Sequence, residues 1–451
     1  MRAWVYAYNL KRNVDQSLFD ANMALELSPN NENYLDTRGW VYLAKGEYGK
    51  ATADFNEALR IDPNLQSSMD GLALARQGQP QQLQQPQQLQ QTQQPQQVQQ
   101  VLVQQTLSEP VTAPENSLDN NLAWLKMFVQ SNGNYIIEVK ADERIDGQRF
   151  EYSGKNNIRI TLRGIGANRT ILTNSYIDLN GFVIGSGVTL VLDTNITLRN
   201  GVDVNRGGTL IMNNGAAITG TLYLGANSDD IGVRVSQGGT FTMNGGTISC
   251  GMRSDGVSSG GTFTMIGGTI SRNMVGVYLT GGSTFTMNGG TISSNGNGVY
   301  QWNSGNTFMM NGGIISGNSG SGVKVSNFTM NDGKITGNTD GYDGDGGGVN
   351  ATNFTMNGGT ISGNTAGENG GGVAIRSNGT FTKTGGEISG YGSDKANGNV
   401  VKDYSGAVRN YRGHAVYAAS NPNRVKIKEG SAGPGDNLFY NNDTAAGAWD
   451  N

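Results

Sequence analysis

The densest group of side chains that could do chemistry is three aspartates in one glycine-rich segment, Asp340, Asp343 and Asp345. Clustered carboxylates can act as general acid and base around a glycosidic bond, and they supply the oxygen ligands that Ca²⁺ prefers. Aspartate is also common in turns, where it accepts hydrogen bonds from nearby backbone N–H groups. We therefore predict no catalytic residue and no cofactor. The three aspartates are weak candidates for calcium binding, and the alternative is that they only form an ordinary turn.

Two other reactive residue types occur once each, as His414 and Cys250. A zinc site or a nucleophilic triad needs several partners of this kind, and a single cysteine excludes an internal disulfide. The formal net charge is -4 and charged residues make up 15% of the chain, which gives no basic field for nucleic acid. No apolar run is long enough to span a bilayer. We expect neither a nucleic-acid partner nor a membrane span.

The pattern that must position these residues is a recurring phrase, Phe-Thr-Met-Asn-Gly-Gly-Thr-Ile-Ser, written in full from Phe241 to Ser249. Phe and Met alternate with Thr, Ile follows a Gly-Gly bend, and an apolar pair precedes most copies, which predicts three short strands in about 22 residues. This period predicts a mainly β fold, a right-handed parallel β-helix of the pectate-lyase type, whose right hand follows from the handedness of parallel crossovers. The first residues of the copies would stack inside: Phe241, Phe263, Phe285, Phe308, Phe328, Phe354 and Phe381.

Threonines flank four of the seven phenylalanines on both sides and belong to the opposite face of the predicted strand. They form a candidate surface-binding strip, interrupted by Met309, Asn327 and Asn353, that consists of Thr240, Thr242, Thr262, Thr264, Thr284, Thr286, Thr380 and Thr382. The strip resembles the Thr-x-Thr ladders of β-helical ice-binding proteins, which makes ice binding a minor alternative. We favour a surface for glycans or other molecules, because repeated coils present long regular surfaces.

Residues 1–76 follow a different, helical pattern. Small and apolar residues stand where a tetratricopeptide repeat places its packing residues: Leu35, Gly39, Tyr42, Tyr48, Ala51, Phe55, Ala58 and Pro63. The pattern recurs one period earlier, since Pro29 lies 34 residues before Pro63. This segment resembles tetratricopeptide repeats, and the resemblance implies an all-α module that binds peptides or partner proteins.

Three further segments complete the predicted organisation. Residues 77–113 are rich in Gln and Pro and lack the apolar content for a core, which predicts a disordered linker. Residues 114–134 carry leucines at helical spacing, which predicts an amphipathic helix that caps the first coil. Residues 135–451 form the predicted β-helix, with regular coils at about 231–392 and a C-terminal cap region.

The β-helical part also resembles a known group. The segments Leu122 to Lys126, Ile160 to Gly166, Gly185 to Asp193 and Arg412 to Tyr417, together with the repeated phrase, are similar to spirochaete-type β-helix repeat proteins of uncharacterised function. The resemblance implies a cell-surface or envelope location and supplies no activity. The chain starts without the pattern of a secretory signal, so we expect a truncated or internal start.

These patterns together predict a non-enzymatic structural or interaction protein. The β-helix would act as an extended scaffold or adhesive surface, and the helical segment as a protein–protein interaction module. The alternative is a β-helical polysaccharide lyase or glycoside hydrolase, because Asn338 to Asp343 resembles a polygalacturonase signature. The paired aspartates expected one coil later are replaced by Ile361 to Thr365, which favours the scaffold.

Overall fold

The computed structural model describes residues 18, 21–22, 24–25, 28, 31–45, 47–63, 65, 67–69, 71–72, 75, 107–174, 181–220, 231–301, 305–341, 343–392, 394–409, 412–418 and 447–449. The chain divides into two compact units, Met1–Val101 and Leu102–Asn451, which we describe separately. Most of the predicted linker, residues 77–106, and most of the predicted C-terminal cap lie outside the described residues.

In the first unit the structure gives the full bounds of helix α1, Glu32–Ala44, and helix α2, Tyr48–Ile61. Helix α1 begins after Asn31, whose side chain accepts hydrogen bonds from the N–H groups of Asn33 and Tyr34. Phe55 of α2 is fully buried, and its ring meets the edge of Trp40 with a centroid distance of 5.6 Å. A Cβ at Gly39 would lie 2.6 Å from the ring of Phe55, so the helices can cross here only because this residue is glycine.

A charged pair also joins the two helices. Arg38 of α1 donates from Nε and Nη2 to the two carboxylate oxygens of Asp54, at 2.7 and 2.8 Å. Arg38 reaches Asn22 Oδ1 with Nη1 at 3.2 Å, which ties the preceding segment to the same point. The predicted helical pair is therefore confirmed, and polar contacts add to its apolar packing.

The second unit is the predicted parallel β-helix, and its coils carry three strands each. Strands of successive coils pair in three ladders, which we name after their inward residues. The Phe ladder contains Val111–Thr112, Asn134–Val139, Ile158–Gly164, Val188–Leu192, Thr209–Met212, Thr240–Met243, Thr262–Met265, Thr284–Met287, Thr307–Met310, and the second halves of Val323–Met330, Val349–Met356 and Val373–Lys383.

The Val ladder lies beside it in the same sheet. It contains Gln148–Phe150, Phe182–Ile184, Val202–Val204, Ile231–Val235, Gly251–Ser259, Asn273–Leu279, Asn297–Gln301, the first halves of the same three long strands, and Val416–Ala418, to which Gly447–Trp449 pairs antiparallel.

Among the described residues, the Ile ladder forms a second sheet of 11 strands. It contains Glu143–Asp146, Arg169–Asn174, Ile196–Arg199, Ala216–Thr219, Thr247–Ser249, Thr269–Ser271, Thr291–Ser293, Ile314–Ser316, Lys334–Thr336, Thr360–Ser362 and Glu387–Ile388. A small third sheet joins Thr339–Asp340, Thr365–Ala366 and Val400–Val401.

The predicted phenylalanine stack runs through the interior. Successive rings from Phe241 to Phe381 lie parallel, with centroid distances of 4.7 to 5.2 Å and interplanar angles of 5° to 14°. This distance is the spacing of paired strands, so one residue type fits the same place in every coil. The methionines of the repeated phrase also pair in register, from Met243 to Met356, and this stack ends at Lys383, which pairs with Met356 and is 3% exposed.

A buried asparagine ladder was missed by the sequence analysis. One asparagine per coil donates from Nδ2 to Oδ1 of the next at 2.8 to 3.0 Å, in the series Asn273, Asn295, Asn318, Asn338, Asn364 and Asn399. Each Oδ1 also accepts the backbone N–H of the preceding member of the series, and the first accepts from Cys250. The available signal is an asparagine three residues after the buried isoleucine in five consecutive coils.

The N-terminal end of the β-helix carries helix α3 at Leu118–Phe128, inside the predicted range 114–134. Its residues Leu118, Leu122 and Leu125 are buried in the same apolar cluster as the first coils. One prediction is wrong here, because residues 111–113 are not linker. Val111–Thr112 pairs with the first coil and Ala113 is buried, since an exposed strand edge offers unpaired backbone groups to the incoming chain.

Candidate functional site

The predicted threonine strip lies on the outer face of the Phe ladder as two adjacent columns. Thr240 pairs with Thr262 and then Thr284 in the first column, and Thr242, Thr264 and Thr286 follow the same register in the second. Neighbours within a column are about 4.8 Å apart, and the two columns are about 7 Å apart. The structure therefore brings these six hydroxyl groups into one regular array.

The predicted interruptions of this array also lie in register. Met309 follows Thr286, while Asn327 and Asn353 continue the first column to Thr380. The array resumes in the second column with two further threonines, Thr329 and Thr355, and continues to the predicted Thr382. The predicted strip therefore extends over the last regular coils.

An outer asparagine ladder borders the array at the following bend. Asn311, Asn331 and Asn357 each donate from Nδ2 to Oδ1 of the preceding member at 2.7 to 2.8 Å, beginning with Asn288. Thr384 closes the series by donating its hydroxyl to Asn357 Oδ1 at 2.8 Å. These amides keep one fixed orientation, so the surface presents ordered polar groups.

The outer face of the Val ladder carries larger side chains. Tyr278 pairs with Tyr300, then Lys324 and Asn350 follow in register. The two tyrosine rings stack with centroids 5.8 Å apart and planes 18° apart. Burial is the main cause that raises the pKa of Tyr278, with Tyr300 and Asp255 adding to it.

The three candidate aspartates occupy a loop beside this column, and two of them already have protein partners. Asp340 Oδ2 accepts from Ser321 Oγ at 2.8 Å and lies 3.8 Å from Lys324 Nζ. Asp345 Oδ1 accepts from Asn369 Nδ2 at 2.9 Å. Burial raises the pKa of Asp345, and the charges of Glu368 and Asp340 raise it further.

The loop does not gather these aspartates into one metal-binding group. Asp343 is exposed. Across the part of the chain that the structure describes, no three His, Cys, Asp or Glu side chains are placed to hold one metal ion. A calcium site would need several converging oxygen ligands. The arrangement of Asp340 and Asp345 fits loop anchoring better than ion binding.

The single histidine and the single cysteine are both buried. His414 is 2% exposed, accepts the Val401 N–H at Nδ1 with a distance of 2.9 Å, and meets the edge of the Tyr391 ring. Cys250 is a free, buried cysteine next to the buried asparagine ladder. Both positions give these side chains a role in packing and backbone contacts.

Comparison with known proteins supports one part of the chain. Residues 33–65 match the family model of the tetratricopeptide repeat, which spans α1, α2 and the turn after them. Neither a curated protein nor a solved structure matches the chain. The similarity to spirochaete-type repeat proteins therefore stays a prediction. Among the described helices, none has the length and apolar character needed to cross a membrane.

Proposed function

We propose that this protein is a non-enzymatic interaction protein, in which the β-helix offers an extended adhesive surface and the tetratricopeptide segment binds a protein partner. The observation that carries this proposal is the division of each coil into two sets of side chains. The inward set of Phe, Met, Val and Ile is fully or nearly fully buried. The outward set of Thr, Asn and Tyr repeats in register along the coils.

The outer array suits a repetitive ligand better than a small one. Hydroxyl and amide groups recur at the spacing of the coils, so a chain with repeated polar groups can contact several coils at once. Such additive contacts raise affinity without a deep cavity. A glycan has this property, since each sugar unit carries hydroxyl groups, and we propose glycans as the ligand class.

The proposed location is the cell surface or envelope. The support is the resemblance of the β-helical motifs to spirochaete-type repeat proteins, together with a surface suited to extracellular glycans. Labelling of intact cells with a membrane-impermeant amine reagent tests it. Labelling of the protein only after lysis would overturn this location.

Binding of the full chain to a panel of immobilised glycans tests the surface proposal. Two variants, Thr264→Tyr and Thr286→Tyr, place bulky rings on the array, and Thr291→Tyr is the matched control on the outer face of the Ile ladder. We expect the first two to weaken binding at least fivefold and the control to bind like the original. Absence of binding to every glycan overturns the proposal. Thermal hysteresis lost in Thr286→Tyr would instead establish ice binding.

The second candidate is the polysaccharide lyase or hydrolase, and one observation favours it. Burial raises the pKa of Asp345, and the nearby charge of Asp340 adds to this rise; a carboxyl group with a raised pKa is the kind of group that acid–base catalysis uses. If this candidate holds, the protein releases new sugar ends from an acidic polysaccharide, and Asp340→Asn abolishes the release. The internal partners of both aspartates favour the scaffold.

A further inference from the structure

The outer face of the Val ladder carries a second surface that the repeated phrase does not explain. We call it the tyrosine–arginine strip, and it consists of Tyr278, Tyr300, Lys324, Asn350 and Arg376. The first four follow one another in register, and Arg376 lies two residues beyond Ala374, which is the partner of Asn350 in the next coil. The strip therefore crosses five consecutive coils along the axis.

Arg376 is the residue that points to a ligand. Its Nε donates to Asn350 Oδ1 at 2.7 Å, and within the described residues no carboxylate pairs with it. Burial lowers the pKa of Arg376, against a smaller opposite effect from Tyr300. A partly desolvated guanidinium without a counter-charge gains free energy when a carboxylate or similar anion pairs with it.

The amide that holds Arg376 is itself fixed. Asn350 Nδ2 donates to the backbone oxygen of Asp345 at 2.8 Å, so its Oδ1 is directed toward Arg376. Two atoms of one amide thus set the position of the guanidinium before any ligand arrives. Such preorganisation lowers the entropy cost of binding.

A second cation lies on the same strip. Lys324 Nζ is 3.8 Å from Asp340 Oδ2, a distance at the limit of an ion pair, and Asp340 has Ser321 as a closer partner. Two coils separate Lys324 from Arg376, which corresponds to about 10 Å along the axis. A linear ligand with regularly spaced anionic groups can reach both cations.

Other charges on this face are already paired or belong to the edges of the strip. Arg234 lies 3.5 Å from Asp203 further along the same column, and Asp255 is close to Tyr278. The two cations of the strip are too few for nucleic acid, whose binding depends on many phosphate contacts. The hydroxyl groups of Tyr278 and Tyr300 suit a ligand that also carries hydroxyl groups.

We propose that the tyrosine–arginine strip binds an acidic polysaccharide along the coil axis. Arg376 and Lys324 pair with carboxylate groups of different sugar units, and Tyr300 and Tyr278 contact the sugars that continue beyond Lys324 along the same column. This inference rests on the proposed function of the β-helix as a glycan-binding surface and names the ligand class and the residues.

Equilibrium binding of the full chain to polygalacturonate and to its fully methyl-esterified form tests the proposal, because esterification removes the negative charge and keeps the sugar backbone. We expect binding to the acid form at least tenfold tighter than to the ester. Arg376→Gln should remove most of this difference, and Lys324→Gln a smaller part. Lys334→Gln, an exposed lysine on the Ile ladder, is the matched control and should bind like the original. Circular dichroism of each variant verifies that the fold is retained.

Three outcomes overturn the proposal. Equal affinity for the acid and the ester excludes charge recognition, and an unchanged affinity in a folded Arg376→Gln excludes the strip as the site. Binding to neutral glycans of the panel without any binding to polygalacturonate excludes the ligand class while the proposed adhesive function stands. Failure to bind any glycan overturns both proposals.

Discussion

The helical pair and the β-helix bury their aromatic side chains in different ways. In the helical pair each buried contact occurs once, as where the Phe55 ring lies against Trp40 and closes on Gly39. In the β-helix one contact is repeated, and Phe285 lies between Phe263 and Phe308 with nearly the same geometry on both sides. The stability contributed by a contact that occurs once is therefore set by its single partner. The stability contributed by a repeated contact also depends on whether the ring lies in the middle or at the end of the stack.

The largest expected effect is the loss of unfolding free energy when a phenylalanine in the middle of the stack, compared with one at its end, is replaced by alanine. Phe285→Ala should cost about 3–5 kcal/mol of unfolding free energy, because it leaves a cavity between two rings. Phe381→Ala should cost less, because this ring has one stacked neighbour in the series and is 5% exposed. Urea unfolding followed by circular dichroism at a β-sheet wavelength measures both. Equal costs would show that the coils do not stabilise one another in sequence.

The next largest effect is the loss of stability when a buried asparagine of the β-helix, compared with an exposed one, is replaced by alanine. Asn318→Ala removes the acceptor of two groups of Asn295 and a donor to Asn338, which should cost about 2–3 kcal/mol since the remaining partners stay buried. Asn311→Ala on the outer ladder is the matched control and should cost less than about 1 kcal/mol, because water replaces its partners. A control as costly as Asn318→Ala would contradict the distinction between inner and outer ladders.

A smaller effect is expected from the charged contact of the helical pair. Arg38→Met removes two hydrogen bonds to the buried Asp54 and one to Asn22, and the loss should be about 1–2 kcal/mol, because Asp54 loses its cation while solvent screens the partly exposed guanidinium. Lys50→Met removes only the exposed contact to Glu47 and serves as control, with little change expected. Thermal unfolding followed at a helix wavelength compares the two variants. Equal behaviour of both would show that the Arg38 contact adds no stability.

The smallest effect concerns the loop beside the tyrosine–arginine strip. The folded state raises the pKa of Asp345, so the stabilising contribution of the protonated carboxyl is complete below the ordinary value of 3.8 and is lost as the pH rises through the folded value. Asp345→Asn keeps an acceptor for Asn369 without the charge. We expect the variant to be at least as stable as the original at pH 7 and to lose this pH dependence.

Melting temperatures of both proteins between pH 3 and pH 7 measure this effect. Asp343→Asn is the control, because Asp343 is exposed in the same loop. A melting temperature of Asp345→Asn clearly below that of the original protein at pH 7 would show that the Asp345 charge stabilises the loop.

The sequence predicts the β-helix well because its packing repeats. A phenylalanine at Phe241 and at six later positions identifies the coil, the inward face and the register of the threonines. The sequence does not predict the buried asparagine ladder, because an asparagine near a glycine is also typical of a turn. Only the coil geometry stacks Asn295 on Asn318. The last part of the predicted linker was wrong for a related reason, since pairing of Val111 with Tyr135 depends on an edge that the local sequence does not show.

The candidate site was predicted only in part. The threonine columns follow from the period of two in the strand and therefore lie where the sequence places them. The tyrosine–arginine strip was not predicted, because Tyr300, Lys324 and Arg376 differ from coil to coil and carry no repeated signal. Their common face emerges only from the register of the Val ladder.

The most direct test of the central claim measures binding and cleavage of polygalacturonate in the same sample. Full-length protein is incubated with the polysaccharide, and bound protein and newly formed reducing and unsaturated sugar ends are both followed over time. We predict saturable binding, no new sugar ends, and the same result for Asp340→Asn. Release of new ends that disappears in Asp340→Asn would contradict a non-enzymatic adhesive surface.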